Sequence, residues 1–337
     1  MRSNGGLVRA ISCICAAFCF GHPIGIGAQA ASAEPRSGSG SAYPNKPVRV
    51  IVAFAAGGFA DSVGRQIGQK LSDRVGQPFV FDNRGGAGGN LGAKMVAEAA
   101  ADGYTLLVHT AASSINVTLY KDLGFDLLKD LAPVSNTVSS AGLFAVLAAH
   151  PAANLQDLIR TAKGRRLNYA TAGVGTSSHI AADYLLRVLA RLDAVHVAYK
   201  GGGPAVTALL GNEIELLNSS ATVLPHIQAG RMKALGVASL TRIQSLPEVP
   251  TVVEAGYPEF EERSWVGFFA PARTPAAVIN LLNREISQVL ALPDVAASFR
   301  ARGMDIHVGP AADFNRYVQK EVANWAKMVK TTGVKVD

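Results

Sequence analysis

The chain has 337 residues, of which 49% are hydrophobic and 17% are charged. So many apolar residues bury a large core, which excludes intrinsic disorder as a description of the whole protein. The length is enough for two domains, and the formal net charge of +7 is not concentrated in a dense Lys/Arg block of the kind that marks a nucleic-acid-binding face.

The first 33 residues have the pattern of a secretory signal peptide. Arg2 and Arg9 supply positive charge, and the apolar run from Ala10 to Phe20 is too short to span a bilayer. Small residues at positions 28, 30, 31 and 33 predict cleavage after residue 30 or residue 33. We therefore predict export to the periplasm, with a membrane anchor as the alternative, and a flexible linker over residues 34–42.

All three cysteines lie inside this predicted leader, at positions 13, 15 and 19. The processed chain would contain no thiol, which excludes structural disulfides, thiolate metal ligands and a cysteine nucleophile. Lipid attachment at Cys19 is disfavoured because Phe18 stands where lipoprotein processing requires a small residue. The processed chain would still be mildly basic, which suits small anionic ligands.

From Val48 onward, strand patterns alternate with helix patterns. Short apolar, β-branched runs predict strands, and apolar residues at i, i+4 and i+8, such as Val63, Ile67 and Leu71, predict helices. The predicted strands of the first half are 48–54, 79–81 and 104–109, and helices follow the glycine-containing turns at 57–58 and 85–92. This alternation indicates a mostly parallel sheet with helices on both faces.

The same alternation restarts near residue 141. It predicts strands over 143–149, 167–171, 194–199, 214–217 and 234–238, and helices over 155–162, 180–188, 204–210, 275–290 and 312–330. We therefore expect an α/β protein of two domains, the first over residues 43–135 and 250–337 and the second over residues 136–249. The hinge is expected where the chain crosses between them, near 131–147 and 249–270.

Two segments, one in each predicted domain, share an arrangement that suits an anion. Arg49–Asp61 and Leu167–His179 each contain a strand, a glycine-containing turn and a polar residue before an amphipathic helix. The first backbone N–H groups of a helix lack intrahelical partners and carry partial positive charge. Because open α/β sheets bind ligands at the carboxyl ends of their strands, two such helix starts facing one cleft would hold both ends of a small dianion.

Simpler interpretations of the same residues stay open. Asp61 and Thr176 match helix N-caps, a role worth about 1 kcal/mol that requires no ligand. His179 would turn either toward the cleft or toward its own loop, and Lys200 would be either a solvated charge or a cation in the cleft. The glycine cluster 83–92 is neither a P-loop, since no Gly-Lys-Ser/Thr follows, nor a dinucleotide-binding fingerprint.

Catalytic and metal chemistry find little support in the sequence. The G-x-S-x-G elbow and the H-E-x-x-H pattern are absent, and the seven histidines show no metal-ligand spacing. Ser177 and Ser178 precede His179, but adjacency along a chain does not make a triad. Trp265 lies in an apolar strand, and we expect it in the core or between the domains. Polar residues follow several predicted strands at the ligand-binding edge of the sheets: Ser113, Ser114, Asn116, Ser219 and Ser220.

Taken in chain order, these segments resemble one family, the periplasmic solute-binding receptors of tripartite tricarboxylate transporters, often called Bug receptors. The matching segments are 43–49, 54–61, 83–92, 102–107, 171–179, 199–205, 246–251, 254–258 and 265–271. The family commonly has Pro at the position of Ala53 and Glu at that of Asp82. Neither departure removes a glycine or a cap, so both concern the identity of the ligand rather than the binding mode.

The resemblance implies a periplasmic binding protein of type II, a Venus flytrap whose two domains close around a small organic carboxylate. In the family, the loops matching Phe54–Asp61 and Thr171–His179 grip the ligand mainly through backbone N–H groups and bound waters. We expect no catalytic residue, no cofactor and no metal. The residues expected to bind the ligand are Phe54, Ala56, Gly57, Gly58, Asp61, Ser113, Asn116, Ala172, Gly173, Gly175, Thr176, Ser177, His179, Tyr199 and Lys200.

The expected partners are the carboxylate and the membrane permease subunits of a tripartite tricarboxylate transporter, with the receptor a monomer that binds no nucleic acid. Two alternatives stay open. One is an extracytoplasmic sensor that binds the ligand and then a signalling partner, and the other is an exported hydrolase using Ser178 and His179. The identity of the carboxylate depends on cleft side chains that the fold brings together.

Overall fold

The computed structural model describes residues 43–336. The predicted leader, residues 1–33, and the predicted linker, residues 34–42, therefore lie outside the described residues. Within the described part, no helix is both long enough and apolar enough to cross a membrane. The described residues belong to one compact unit, Ser41–Asp337.

Strands and helices alternate along most of this chain. The strands are β1 (Val48–Val52), β2 (Phe79–Asn83), β3 (Thr105–Thr110), β4 (Leu131–Leu147), β5 (Arg166–Thr171), β6 (Asp193–Ala198), β7 (Leu216–Ser219), β8 (Met232–Ala238), β9 (Arg263–Pro271) and β10 (Met304–Ile306). The helices are α1 (Phe59–Val75), α2 (Asn90–Ala97), α3 (Ala112–Leu119), α4 (Leu127–Asp130), α5 (Leu155–Ala162), α6 (Ser177–Asp183), α7 (Gly202–Leu210), α8 (Leu224–Gln228), α9 (Ala276–Leu290), α10 (Pro293–Ala301) and α11 (Ala311–Thr332).

Two sheets share the long strand β4. In the first sheet, β1 pairs in parallel with β2 and β3, β9 pairs antiparallel with both β3 and β4, and β10 pairs antiparallel with β4. In the second sheet, β5 pairs in parallel with β6 and β7, while β7 and β8 pair antiparallel with β4. The predicted parallel sheets are therefore present as blocks of three strands, to which antiparallel strands are added.

The antiparallel strands arise from the way the chain passes between the sheets. Strand β4 has 17 residues, and its first part pairs with β9 while its second part pairs with β8. The sequence predicted only its end as a strand, over 143–149, because the polar residues within 135–140 break the apolar pattern.

The helices follow the expected rules at their faces and ends. Val63, Ile67 and Leu71 form the fully buried stripe of α1, and α1 ends at Gly76 in the left-handed conformation, with a φ of 69°. Likewise α11 ends at Gly333, with a φ of 65°. The sequence did not predict α3, α10 or β10.

Apolar side chains form separate clusters on the two sheets. The largest cluster joins β1, β3 and β9 to α1 and α9 and includes Trp265, whose exposed fraction is 0%. Two further clusters cover opposite faces of the second sheet, one around Phe144 and Tyr169 and the other around Leu143 and Leu217. Trp265 is thus a core residue, and its indole N–H donates to Glu321 over 3.1 Å.

Candidate functional site

A cavity lies where strand ends from both sheets meet. It offers about 40 Å³ to the centres of water-sized molecules, which is room for a few waters. Residues from both predicted domains line it: Phe54, Phe59, Ala60, Thr110, Ala172, Thr176, Ser177, Ser178, Gly202, Ser219, Ser220, Thr222, Glu262 and Ser264. Among these described lining residues, Glu262 alone has an ionisable side chain, so hydroxyl and backbone groups supply most of the polar character.

The turn between β1 and α1 is held by a buried carboxylate. Gly57 has a φ of 75°, a conformation that favours glycine, and its N–H donates to Asp61 Oδ2 over 2.9 Å. The other oxygen, Asp61 Oδ1, accepts from Arg65 over 2.8 Å and from Asn83 over 2.9 Å. The prediction that Asp61 is the N-cap is wrong, because Gly58 occupies that position and Asp61 reaches back to the turn from the first turn of the helix.

The turn between β5 and α6 forms the opposite wall. Thr176 is the N-cap of α6, as predicted, and its hydroxyl accepts from the N–H of His179 over 3.3 Å. The same hydroxyl donates to the carbonyl of Gly173 over 2.7 Å. Gly173 and Gly175 have φ values of 134° and 77°, so the backbone folds into a tight arch whose helix start faces the cavity through Ser177 and Ser178.

A third turn, between β6 and α7, brings the two walls into contact. The N–H of Ala55 donates to the carbonyl of Lys200 over 2.9 Å. A Cβ atom placed on Gly58 would lie 3.4 Å from the N–H nitrogen of Gly202, so the two turns pack directly on one another. The Lys200 side chain is exposed and does not line the cavity, and the carbonyl of Tyr199 packs against Gly173 instead.

Helix α3 supports the arch rather than the cavity. Asn116 is fully buried and donates to the carbonyl of Gly88 over 3.1 Å and to Asn90 Oδ1 over 2.8 Å. Its Oδ1 atom lies so close to Gly175 that a Cβ there would come within 2.1 Å. Ser113 donates to the carbonyl of Thr110 over 3.0 Å, at the end of β3. Neither side chain lines the cavity.

His179 turns away from the cavity, toward its own loop. Its Nδ1 accepts from the N–H of Gly175 over 3.3 Å, and its ring stacks on His196 with centroids 3.9 Å apart. Burial lowers the pKa of His179 to about 4 and that of His196 to about 3, so both rings are neutral at pH 7. Ser178 shares a 3.1 Å contact with Thr176, and the hydrogen bonds of His179 go to Gly175 and Thr176. No hydrogen bond joins Ser178 to His179 in the described structure, so the pair lacks the arrangement of a nucleophile and its base.

The structure therefore divides the predicted ligand-binding residues. Those that line the cavity are Phe54, Ala172, Thr176 and Ser177. The rest shape the turns, support them or lie outside the cavity wall: Ala56, Gly57, Gly58, Asp61, Ser113, Asn116, Gly173, Gly175, His179, Tyr199 and Lys200. Within residues 43–336 no cluster of His, Cys, Asp and Glu could hold a metal ion.

Several lining residues were not predicted. Thr110 ends β3, and this strand-end position is a signal that sequence reasoning can use. Ser219 and Ser220 lie at the end of β7; the sequence placed them at the ligand-binding edge, but they were not among the residues expected to bind the ligand. Glu262 gives no such signal. It follows Glu261 in a polar stretch, yet only 2% of its surface is exposed, and burial raises its pKa to about 7 against the opposing effects of Ser177 and Arg263.

Comparison with known proteins assigns the chain to a family. Residues 63–334 match the sequence pattern of the tripartite tricarboxylate transporter family receptor, TctC. The chain belongs to this family. The protein BugT of Bordetella pertussis is 35% identical over 307 residues, which span 88% of this chain and 93% of BugT.

Solved members of the same fold superpose closely. The periplasmic binding protein BugD is 32% identical, with a TM-score of 0.83 over 87% of this chain and 99% of BugD. An R. palustris protein solved with adipate has 31% identity and a TM-score of 0.83, over 87% of this chain and 99% of its own. MatC from Rhodopseudomonas palustris, solved with malate, has 32% identity and a TM-score of 0.81, over 85% of this chain and 100% of MatC.

These TctC relatives are solute-binding receptors of the periplasm and not enzymes. The predicted α/β fold of a periplasmic binding protein is confirmed by the same superpositions. The predicted membership of the Bug receptors is confirmed as well.

Proposed function

We propose that this TctC receptor closes around a small organic carboxylate anion and delivers it to the permease subunits of a tripartite tricarboxylate transporter. The observation that carries the proposal is the cavity between the β1–α1 and β5–α6 turns, lined by Thr176, Ser177 and other hydroxyl groups at the start of a helix. Hydroxyl donors and unpaired N–H groups at a helix start favour an anion. The relatives solved with adipate and malate support the same ligand class.

The proposed domains are residues 43–135 with 250–337, and residues 136–249. The separate apolar clusters on the two sheets support this division. The hinge would consist of β4 and the segment leading into β9, which are joined where the N–H of Gly142 donates to the carbonyl of Glu262 over 3.1 Å. Closure would bring the turn at Ala55 onto Lys200, the contact present here.

The same proposal includes export to the periplasm, cleavage after residue 30 or 33 and a monomeric receptor. A sensor that passes its signal to a membrane partner would use the same closure and is the alternative. Intact mass and light scattering of protein purified from the periplasm test the cleavage site and the monomer.

The ligand class is tested by thermal shift on that purified protein. We expect one or more of adipate, malate, succinate and citrate to raise the melting temperature, since a ligand at 100 times its Kd stabilises by about 2.7 kcal/mol. The matched diamides of adipate and succinate carry no charge and should have no effect. Equal stabilisation by acid and amide, or none by any acid, would contradict the proposal.

A further inference from the structure

Glu262 occupies a fixed position in the cavity wall, immediately before β9. Its N–H donates to the carbonyl of Ala238 over 3.0 Å, and its carbonyl accepts from the N–H of Gly142 over 3.1 Å. The residue is therefore tied through its backbone to the ends of β8 and the middle of β4, where the chain crosses between the sheets. Its side chain, 2% exposed, lines the cavity.

The carboxyl group of Glu262 and the amide oxygen of Asn218 lie beside the same glycine. A Cβ atom on Gly142 would lie 1.7 Å from Glu262 Oε2 and 3.2 Å from Asn218 Oδ1, so both oxygens lie beside the same stretch of backbone. Neither oxygen has a hydrogen-bond partner among the described residues. The amide of Asn218 is oriented by its Nδ2, which donates to the carbonyl of Ser178 over 2.9 Å. Its Oδ1 is thus the amide atom left without a partner, as Glu262 Oε2 is.

Two buried acceptors that lack hydrogen-bond partners, both beside Gly142, are costly unless one of them carries a proton. A proton on Oε2 would let Glu262 donate to Asn218 Oδ1 and would satisfy both groups. That proton would also remove the charge from the cavity wall. A carboxylate ligand could then approach without repulsion from a buried anion.

The charged groups around Glu262 do not offer it another partner. Arg263, the neighbouring cation, is bound to Asp305 and donates to Ser139 over 3.1 Å. From α6 the side chain of Ser177 hydrogen-bonds to the carboxyl group and, like the charge of Arg263, lowers its pKa. From β4 and β8, the N–H of Gly142 and the carbonyl of Ala238 pair with the backbone of Glu262. Burial outweighs these effects and raises the pKa to about 7.

We propose that Glu262 is a specificity-determining residue of the cleft, which admits a carboxylate ligand in its protonated form, shared with Asn218, and rejects it once the proton is lost to solvent. This inference rests on the proposed function and deepens it. An ionised Glu262 would instead attract a ligand that carries an ammonium group, so the protonation state decides which class of acid binds.

The expected pH dependence of Kd follows from the fraction of receptor in which Glu262 is protonated. Apparent affinity scales with that fraction, so Kd should be nearly constant below pH 6 and rise about tenfold per pH unit well above pH 7. Between pH 6.5 and 8.5 the loss should be roughly twentyfold. The free dicarboxylates are ionised throughout this range and do not contribute to the change.

The experiment measures Kd by calorimetry for adipate, malate and succinate at pH 6.5, 7.5 and 8.5. Wild type should lose affinity as the pH rises, whereas Glu262→Gln, which keeps a neutral donor of the same shape, should bind within about threefold of wild type at pH 6.5 and stay constant. The matched control is Glu261→Gln. Glu261 is exposed and adjacent, and its loss should leave the wild-type profile unchanged.

A flat wild-type profile, or an equally steep profile in Glu262→Gln, would overturn the proposal. Tighter binding of L-aspartate than of succinate, with the preference lost in Glu262→Gln, would also overturn it by showing an ionised carboxylate that pairs with an ammonium group. If no carboxylate binds at any pH, the proposed function fails instead. The proton on Glu262 is then tested by melting temperatures alone. The melting temperature of Glu262→Gln should exceed that of wild type by more at pH 8 than at pH 5. An equal difference at the two pH values would refute the proton.

Discussion

Thr176 combines two roles in one side chain. Its hydroxyl accepts from the N–H of His179 and donates to the carbonyl of Gly173, and the residue also lines the cavity. The cap satisfies a helix-start N–H that would otherwise lack a partner. The arch before α6 therefore keeps its shape through a residue that also lines the cavity.

We predict that Thr176→Ala lowers the free energy of unfolding by about 1 kcal/mol, the usual cost of a lost N-cap. Because the arch loses a support, carboxylate affinity should fall by about tenfold or more, equivalent to roughly 1.4 kcal/mol. Urea unfolding and calorimetry measure the two effects. The control is Thr176→Ser, which keeps the hydroxyl and should stay close to wild type in both assays. A serine variant as impaired as the alanine variant would argue against the capping role.

Asp61 lies close to, but not at, the helix position that the sequence pattern predicts. Its position before an amphipathic stripe correctly placed it near the start of α1, but the pattern cannot distinguish the N-cap from a residue in the first turn. The difference depends on the backbone of Gly57 and Gly58, which lets the turn fold back onto the carboxylate. The partners Arg65 and Asn83 complete the arrangement, and Asn83 comes from another strand.

At the scale of elements, the cavity depends on contact between the β1–α1 turn and the β6–α7 turn. Gly58 lies at that contact, where a Cβ would be 3.4 Å from Ala55 O and from Gly202 N. The φ of Gly58 is −82°, which any residue adopts. The space around it, and not its backbone conformation, therefore limits what side chain fits.

We predict that Gly58→Leu abolishes ligand binding while the protein stays folded. The longer side chain would collide with the turn at Gly202 and hold the walls apart, because a leucine extends well beyond the 3.4 Å available to a Cβ. Thermal shift with the carboxylate panel measures binding, and circular dichroism measures the fold. Gly58→Ala, whose Cβ makes only ordinary contacts, is the control and should bind nearly as wild type. Unchanged affinity in Gly58→Leu would remove this contact from the site.

At the scale of the whole molecule, buried ionisable groups set the response to pH. Burial lowers the pKa of His109 and of His179 to about 4 and that of His196 to about 3. An unfolded histidine, with a pKa of about 6.5, binds a proton first. The stability that these neutral rings contribute is therefore present above pH 6.5 and is lost as the pH falls toward 4. Glu262 acts in the opposite direction, since its raised pKa costs stability as the pH rises from about 4.5 to 7.

We predict a net fall in the free energy of unfolding between pH 7 and pH 5. Each buried histidine should contribute about 2 kcal/mol to the fall. Protonation of Glu262 should offset roughly the contribution of one histidine. His196→Phe keeps a ring to stack on His179 and Tyr169, but the phenyl ring cannot be protonated. The free energy of unfolding of this variant should therefore fall less between pH 7 and pH 5 than that of wild type. Urea unfolding at both pH values measures this. Equal falls in the two proteins would show that His196 does not control the acid response.

The sequence by itself determined the α/β alternation, the glycine-bearing turns and the bounds of α5, α7, α9 and α11 to within two residues. These features depend on residues close together in the chain, through periodicity, caps and backbone conformation. The TctC family was recognised separately, from the resemblance of whole segments in chain order. Tertiary structure decided which side chains reach the cavity. Lys200, Asn116 and His179 looked suitable but do not line the cavity, while Glu262, which no sequence pattern indicated, is buried and lines it. Burial and the resulting pKa come from β4, β7 and α6 meeting around one carboxyl group, and such long-range packing leaves no local pattern in the chain.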